Sequence, residues 1–100
     1  MFDVVQSEAF DGWLSRFGDR NAKAGVLARI DRHRLGNPGD AKSVGSGVFE
    51  MQTDYGPGYR IYYSRRGNRI VLLLTGGDKS TQSRDIADAI AMAKEFRDGR

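Results

Sequence analysis

Apolar residues recur at helical spacing in the first third of the chain. Residues 1–6 contain Phe2, Val4 and Val5 and predict a short strand, and Ser7 follows in the position of a helix cap. Helices are predicted over residues 8–17 and 20–35, with Gly18 and Asp19 between them, so that the two form a helical hairpin. The predicted buried positions are Phe10, Trp13, Leu14 and Phe17 in the first helix and Val26, Leu27 and Ile30 in the second.

The next stretch changes to the pattern of a β-structure. Residues 36–47 are rich in glycine and predict a loop or an edge, whereas residues 48–53 alternate between apolar and polar side chains and predict a strand. A turn is predicted immediately after this strand, at Asp54, Gly56, Pro57 and Gly58.

Two further strands are predicted to form a hairpin. They cover residues 59–64 and 69–75, and Gly67 with Asn68 makes the tight turn between them. The run from Ile70 to Leu74 is apolar without alternation, so the second of these strands is expected to be central and covered on both faces.

A covering helix is predicted over residues 81–96, with Ser80 as its cap. Its apolar stripe consists of Ile86, Ala89, Ile90, Ala93 and Phe96. The order of elements is therefore β-α-α-β-β-β-α, which predicts an α+β fold with a small, mainly antiparallel sheet. Residues 1–100 are expected to form one domain, because 100 residues with 39% hydrophobic content leave no room for a second core.

The composition excludes several kinds of site. The chain has no cysteine, which argues against a disulfide framework, a cysteine-based zinc site and a thiol nucleophile, and its lone histidine, His33, cannot form a metal cluster by itself. We therefore expect no cofactor and no metal. No apolar run approaches the roughly 20 residues that span a bilayer, and the first residues do not resemble a signal peptide, so a cytoplasmic protein without a membrane partner is expected.

Positive charge is concentrated in the second half of the chain. Residues 1–55 hold seven Lys or Arg and eight Asp or Glu, whereas residues 56–100 hold nine and five, within a net charge of +3. Four arginines without an intervening acid lie on the predicted hairpin, namely Arg60, Arg65, Arg66 and Arg69. Such clustering favours a phosphate-bearing partner such as nucleic acid, although a small surplus of basic residues is also common on ordinary surfaces.

Strand alternation predicts which hairpin side chains share a face. Tyr59, Ile61 and Tyr63 are expected on one face, and Arg60, Tyr62 and Ser64 on the other. Near the end of the second helix, Arg29, Arg32 and His33 are expected to share an exposed face, as a second phosphate-contacting edge or as a solvated helix surface.

The strings FEMQTDYGPGYRIYY and LLLTGGDKSTQSRDI, together with the order of elements, resemble the RelE/ParE superfamily of bacterial toxins. The resemblance extends over nearly the whole chain and is strongest to the HigB-like branch called addiction-module killer proteins. It implies a toxin of a type II toxin-antitoxin system, with a small antitoxin, often a helix-turn-helix protein, as its partner. Many relatives are endoribonucleases that cut messenger RNA on the ribosome and thereby arrest translation, so ribosome and mRNA are the further implied partners.

The resemblance also suggests roles for single residues. Arg60 matches the strand arginine that RelE-type nucleases use on the phosphate, and Lys79 matches the lysine before their last helix, so these two are the candidate catalytic residues. The candidate RNA-binding residues are Tyr59, Tyr62, Arg65, Arg66 and Arg69, with the tyrosines stacking on unpaired bases. The hairpin arginines and Lys79 are expected to converge on one end of the sheet. The general acid and base are not identified.

Structural alternatives exist for the same residues. Arg60 can instead pair with Glu50 or Asp78 across the sheet, Lys79 can be an ordinary solvated residue, and Gly76 and Gly77 can serve the backbone alone. Two other functions also fit the sequence. One is a non-enzymatic ParE-like toxin that inhibits DNA gyrase, and the other is a basic protein-interaction module without toxicity, since a fold by itself does not identify an activity.

Overall fold

A computed structural model of the chain describes residues 2–53 and 58–99. Its elements are β1 (Asp3–Gln6), α1 (Glu8–Ser15), α2 (Arg20–Arg34), β2 (Ala41–Gly45), β3 (Val48–Gln52), β4 (Arg60–Arg66), β5 (Ile70–Gly77), a 3-10 turn (Lys79–Thr81) and α3 (Gln82–Gly99). The α+β class and the positions of the predicted helices and strands are confirmed. The predicted turn at Asp54, Gly56 and Pro57 lies outside the described residues.

The sheet contains five strands, one more than predicted, in the order β1-β5-β4-β3-β2. β1 pairs in parallel with β5, and the other neighbours pair antiparallel. The additional strand, β2, lies in the glycine-rich segment that predicted a loop or an edge, and it is an edge strand. Its pairing with β3 shifts register after Ser43, where Gly45 pairs with Val48.

Helices cover both faces of the sheet, and each face has its own core. On one face, α1 and α2 pack through residues such as Phe10, Val26 and Ile30. On the other face, α3 packs through Ala89 and Ala93. β5 lies between β1 and β4 and supplies both cores: Val71 and Leu73 belong to the first, and Leu72 and Leu74 to the second. The prediction of a central strand covered on both faces is therefore confirmed.

Side-chain caps fix the starts of the helices. The Ser7 hydroxyl accepts a hydrogen bond from the Phe10 amide at 3.0 Å, as predicted, and the Asp19 carboxylate accepts one from the Asn21 amide at 2.9 Å. The predicted cap Ser80 is wrong. Ser80 lies inside a 3-10 turn through which the chain leaves β5 before α3 begins, and Asp78 caps this turn by accepting from the Ser80 amide at 2.8 Å.

The prediction of an exposed basic face at the end of α2 is wrong for two of its three residues. Arg29 and His33 are buried, and only Arg32 is exposed. Both buried side chains lie on the stripe of α2 that faces the sheet, and the His33 ring packs edge-on against Tyr63 with 4.6 Å between ring centroids. Burial among these groups lowers the pKa of His33 to about 4, and the positive charges of Arg65 and Arg29 act in the same direction.

Candidate nucleic-acid interface

Arg60 is held rigidly at the start of β4. Its Nε donates a hydrogen bond to the Glu50 carboxylate at 3.0 Å, and its Nη1 donates to the Gly58 carbonyl at 2.7 Å. Arg60 is 8% exposed and Glu50 3% exposed, so the pair is removed from water. The alternative that Arg60 pairs with Glu50 across the sheet is thus realised in the structure. Two of the three guanidinium nitrogens take part in these internal bonds.

The carboxylate of Glu50 also connects the sheet to α3. Gln82, the first residue of α3, donates from its amide to both oxygens of Glu50, at 3.2 and 3.3 Å. Tyr62 pairs with Glu50 in the sheet and is fully buried. Burial, and then the negative charges of Glu50 and Asp85, raises the pKa of Tyr62. Stacking of an RNA base on Tyr62 would therefore require this packing to open.

Lys79 lies at the same end of the sheet and is exposed. Arg60 pairs with Gly77 in the β4–β5 ladder, and Lys79 follows Gly77 by two residues at the start of the 3-10 turn. Between them, Asp78 accepts hydrogen bonds from the hydroxyl of Ser80 at 2.6 Å and from its amide, and these bonds lower the pKa of Asp78. Arg60 and Lys79 are therefore brought to one end of the sheet, as expected.

Next to this end of the sheet is a polar cleft of about 450 Å³ between α1 and the start of α3. Its walls include Trp13 and Tyr59, and Arg16 and Arg84 line it from the two helices. Tyr59 is partly exposed and packs edge-on against Phe17, at 4.7 Å between centroids. Of the two tyrosines predicted to contact RNA, Tyr59 is the one with accessible surface.

The double glycine allows the helices to approach the end of β5. A Cβ at Gly76 would collide with the indole ring of Trp13, and one at Gly77 would collide with the Asp85 carboxylate and lie 2.9 Å from the Thr81 hydroxyl oxygen. Asp85 in turn accepts a hydrogen bond from Thr81 at 2.5 Å. The two glycines thus have the backbone role described above, because no larger residue fits between the strand and these side chains.

The other three hairpin arginines lie at the opposite end of β4 from Arg60 or in the turn beyond it, and the expectation that they converge with Arg60 is wrong. Arg66 pairs with Ile70 at the opposite end of β4 from Arg60. Six residues separate the two arginines along the strand, which corresponds to about 20 Å. Arg65 covers the rings of Phe2 and Phe49, at 5.3 and 5.9 Å from their centroids, and Arg69 is exposed in the turn.

Sequence reasoning missed the two arginines of the cleft. Arg16 follows α1 and Arg84 lies in α3, and nothing in their local sequence distinguishes them from solvated helix residues. They share a cleft only because α1 and α3 both reach the end of β5. The burial of Arg29 and His33, in contrast, had a visible signal, since both continue the helical spacing of Ala22, Val26 and Ile30.

Two further observations concern the described residues as a whole. Within residues 2–53 and 58–99, no three His, Asp or Glu side chains are grouped so that they could bind a metal ion. None of the helices in these ranges has the length and apolar character of a bilayer-spanning segment.

Comparisons with known proteins identify a relative in sequence. No protein-family model matches the chain. An uncharacterized protein of Haemophilus influenzae is 50% identical over 87 residues, which cover 87% of this chain and 88% of that protein. Identity at this level over nearly the full length of both sequences indicates common ancestry and a shared fold. The chain therefore belongs to the same protein family as this Haemophilus influenzae protein.

Proposed function

We propose that the chain is a RelE/ParE-like toxin of a type II toxin-antitoxin system, of the HigB-like branch, and that it cleaves messenger RNA on the ribosome. The observation that carries the proposal is the fixed guanidinium of Arg60 at the same end of the sheet as the exposed Lys79. The resemblance of the two sequence strings to that superfamily supplies the activity. A small antitoxin is the proposed partner.

This end of the sheet offers the cationic side chains that metal-free RNA cleavage requires. The ribose 2′-hydroxyl attacks the adjacent phosphorus, and the 5′-oxygen of the next nucleotide leaves. Cationic donors stabilise the charge that builds up on the phosphate, and a donor fixed before the reaction contributes most because it does not reorganise. Arg60 is such a donor, and Lys79 adds an exposed positive charge.

The ribosome has a defined part in this proposal. The cleft contains both arginines and carboxylates, so it does not attract RNA by charge alone. Alignment of the 2′-hydroxyl with the leaving oxygen must then come from an RNA that is already held in an extended conformation. We therefore expect the purified chain to cleave naked RNA poorly and to cut messages within translated codons.

A second candidate function, compatible with a purely structural Arg60, is that of a ParE-like toxin which inhibits DNA gyrase by binding. Arg60 uses two guanidinium nitrogens for bonds to Glu50 and Gly58, which is also the arrangement of an arginine that only supports the fold. In that case the exposed surface would act without a catalytic set.

The experiment that tests the proposal is induction of the chain alone, followed by mapping of RNA 5′-ends on translating ribosomes. Lys79→Ala is the decisive variant, and Lys94→Ala is its matched control, because both lysines are exposed and neither substitution disturbs the core. Loss of one phosphate-contacting cation typically lowers the rate by about 10²–10³. We expect cuts within codons for the wild type and Lys94→Ala, and greatly reduced cutting for Lys79→Ala.

The chemical ends of the fragments identify the reaction. Attack by the 2′-hydroxyl leaves a 2′,3′-cyclic phosphate or a 3′-phosphate, whereas 5′-phosphates would contradict that mechanism. Intact messages accompanied by loss of DNA supercoiling would refute the nuclease and support the gyrase toxin. A chain that arrests neither translation nor supercoiling would refute both.

A further inference from the structure

The end of β5 has a free edge. β1 pairs with β5 only as far as Leu73. Ser7 follows β1, and its amide and hydroxyl donate hydrogen bonds to the carbonyls of Leu73 at 3.0 Å and Leu74 at 2.6 Å. β5 continues to Gly77 and pairs with β4 over that length. Along residues 75–77, therefore, no strand of the described part of the chain pairs with the outer edge of β5.

This free edge is the floor of the polar cleft of about 450 Å³ between α1 and the start of α3, since residues 75–77 all line the cleft. Trp13 lies where a Cβ of Gly76 would be, and Asp85 lies where a Cβ of Gly77 would be. Successive Cβ positions point to opposite faces of a strand, so the two side chains stand on either side of the free edge. Backbone N–H and C=O groups without a strand partner require another partner, and the volume is within the range of about 300–1,000 Å³ of small-molecule sites.

Asp85 is a buried carboxylate without a cation. It is 7% exposed, and its Oδ2 accepts a hydrogen bond from the Thr81 hydroxyl at 2.5 Å. Among the described residues, no basic side chain forms an ion pair with it. Buried carboxylates are ordinarily paired, and a carboxylate can only accept hydrogen bonds, up to two on each oxygen. Because Asp85 lines the cleft, it favours a ligand that presents N–H donors there.

The other side chains of the cleft fit the remaining parts of a nucleotide. Trp13 and Tyr59 are partly exposed and form an aromatic corner, with 6.4 Å between their ring centroids. Arg16 and Arg84 are exposed and line the cleft from the ends of the two helices. Aromatic rings stack on unpaired bases, and guanidinium groups bind phosphates. A bare phosphate matches the cleft less well, because carboxylates line it too.

We propose that the polar cleft binds one nucleotide of the substrate RNA and that Asp85 selects guanine as its base. Guanine presents two adjacent donors on its Watson–Crick edge, N1–H and N2–H, and one carboxylate can accept both. Adenine and cytosine present an amino group beside an acceptor, and uracil presents one N–H between two acceptors, so each brings a lone pair toward the carboxylate. The assignment of this nucleotide to a substrate RNA rests on the proposed function. Asp78 lines the cleft and precedes Lys79, so the selected guanine lies next to the phosphate that is cut.

The probes are the 5′-monophosphates of guanosine, adenosine, cytidine and uridine, titrated into the full-length chain. The NMR signal of the indole N–H of Trp13, the only tryptophan of the chain, reports occupation of the cleft. A bidentate contact to a base typically discriminates by at least about fivefold, so GMP should bind more tightly than the others by that factor. Asp85→Asn keeps the shape but introduces an amide donor, and it should abolish the preference. Asp88→Asn is the matched control, because Asp88 is exposed on the same helix and is not among the described residues that line the cleft.

A ligand variant keeps the test decisive if Asp85→Asn fails to fold, which thermal unfolding identifies. Inosine 5′-monophosphate lacks only the 2-amino group of GMP, so it should bind the wild type more weakly than GMP does. Equal affinity of GMP and inosine monophosphate would overturn the proposal. Equal affinity of the other monophosphates and GMP, a guanine preference that persists in folded Asp85→Asn, or the absence of binding would also overturn it.

Mapping of RNA 5′-ends on ribosomes separates this inference from the proposed function. We expect cuts beside guanines for the wild type and Asp88→Asn, and cuts without this preference for Asp85→Asn. Codon cleavage without any selectivity for guanine, on ribosomes or in solution, would refute the inference and leave the nuclease standing. Tight binding of GMP without codon cleavage would refute the nuclease and leave the guanine site standing. Selective binding of GMP together with cleavage that ignores guanine would overturn the assignment of the ligand to RNA and indicate a free guanine nucleotide.

Discussion

Replacing Glu50 by alanine should destabilise the chain severely, because it leaves the buried Arg60 without its carboxylate. Glu50 accepts hydrogen bonds from Arg60 and from Gln82, and both donors would lose their acceptor. Removing one partner of a buried ion pair typically costs about 3–5 kcal/mol of unfolding free energy. A domain of this kind has about 5–15 kcal/mol in total, so the variant should retain only a small part of its stability.

The burial of the pair, rather than its short distance, sets this magnitude. The exposed pair of Arg34 and Asp31 provides the comparison, since its charged atoms are 2.8 Å apart but the side chains are 43% and 70% exposed. Surface pairs of this type contribute about 0–1 kcal/mol. Asp31→Ala should therefore change the free energy of unfolding by less than about 1 kcal/mol. The charged atoms of its ion pair are nevertheless as close together as those of the buried pair.

Urea unfolding followed by circular dichroism measures both variants. A double variant, Glu50→Leu with Arg60→Met, should be more stable than Glu50→Ala, because it removes both charges instead of leaving one without its partner. A Glu50→Ala chain that loses less than about 1 kcal/mol would refute the reasoning. In that case Arg60 would have to be solvated in solution, and the rigid donor on which the proposed nuclease depends would not exist.

The remaining predictions concern a histidine and two glycines. His33 has a lower pKa in the folded chain than its ordinary value of 6.5, so the unfolded chain binds a proton first and stability falls as pH falls from about 6.5 to 4. Urea unfolding should show that the free energy of unfolding is about 2–3 kcal/mol lower at pH 4.5 than at pH 7.5, and that this loss is absent in His33→Phe. Equal pH dependence of the two chains would contradict the burial of a neutral His33 ring. Gly76→Ala should cost about 1–3 kcal/mol because its methyl group meets the ring of Trp13, whereas Gly18→Ala, with no atom within 4 Å, should be tolerated. Equal melting temperatures for the two alanine variants would contradict that close contact.

Local periodicity was sufficient to predict most elements of the fold. The stripes of α1 and α3 and the unbroken apolar run of β5 each have a direct physical cause, since burial on one or both faces requires apolar residues at a fixed period. β2 could not be assigned in this way. Its five residues are mostly exposed, and it is a strand only because β3 offers a partner.

The candidate site was predicted less well, because its geometry depends on pairing between distant segments. Sequence placed Arg60 on a strand and Lys79 before a helix, but not their register, which is set by the pairing of Arg60 with Gly77. Sequence proximity also made Arg60 and Arg66 appear to be neighbours. In an extended strand six residues are a long distance, so a cluster in sequence becomes two separate sites in space.

The parallel pairing of β1 with β5 has a consequence for synthesis of the protein. Ser7, directly after β1, donates a hydrogen bond to the carbonyl of Leu74, 67 residues later. β1 therefore has no partner until synthesis has passed β5, and the helix α3 that covers the other face is made later still. Pairing between segments so far apart in sequence is intrinsically slow to form, because the entropy of closing the long loop is lost before the contacts form. Chains that end before β5 should therefore leave β1 unpaired, and they lack the strand that contributes to both cores.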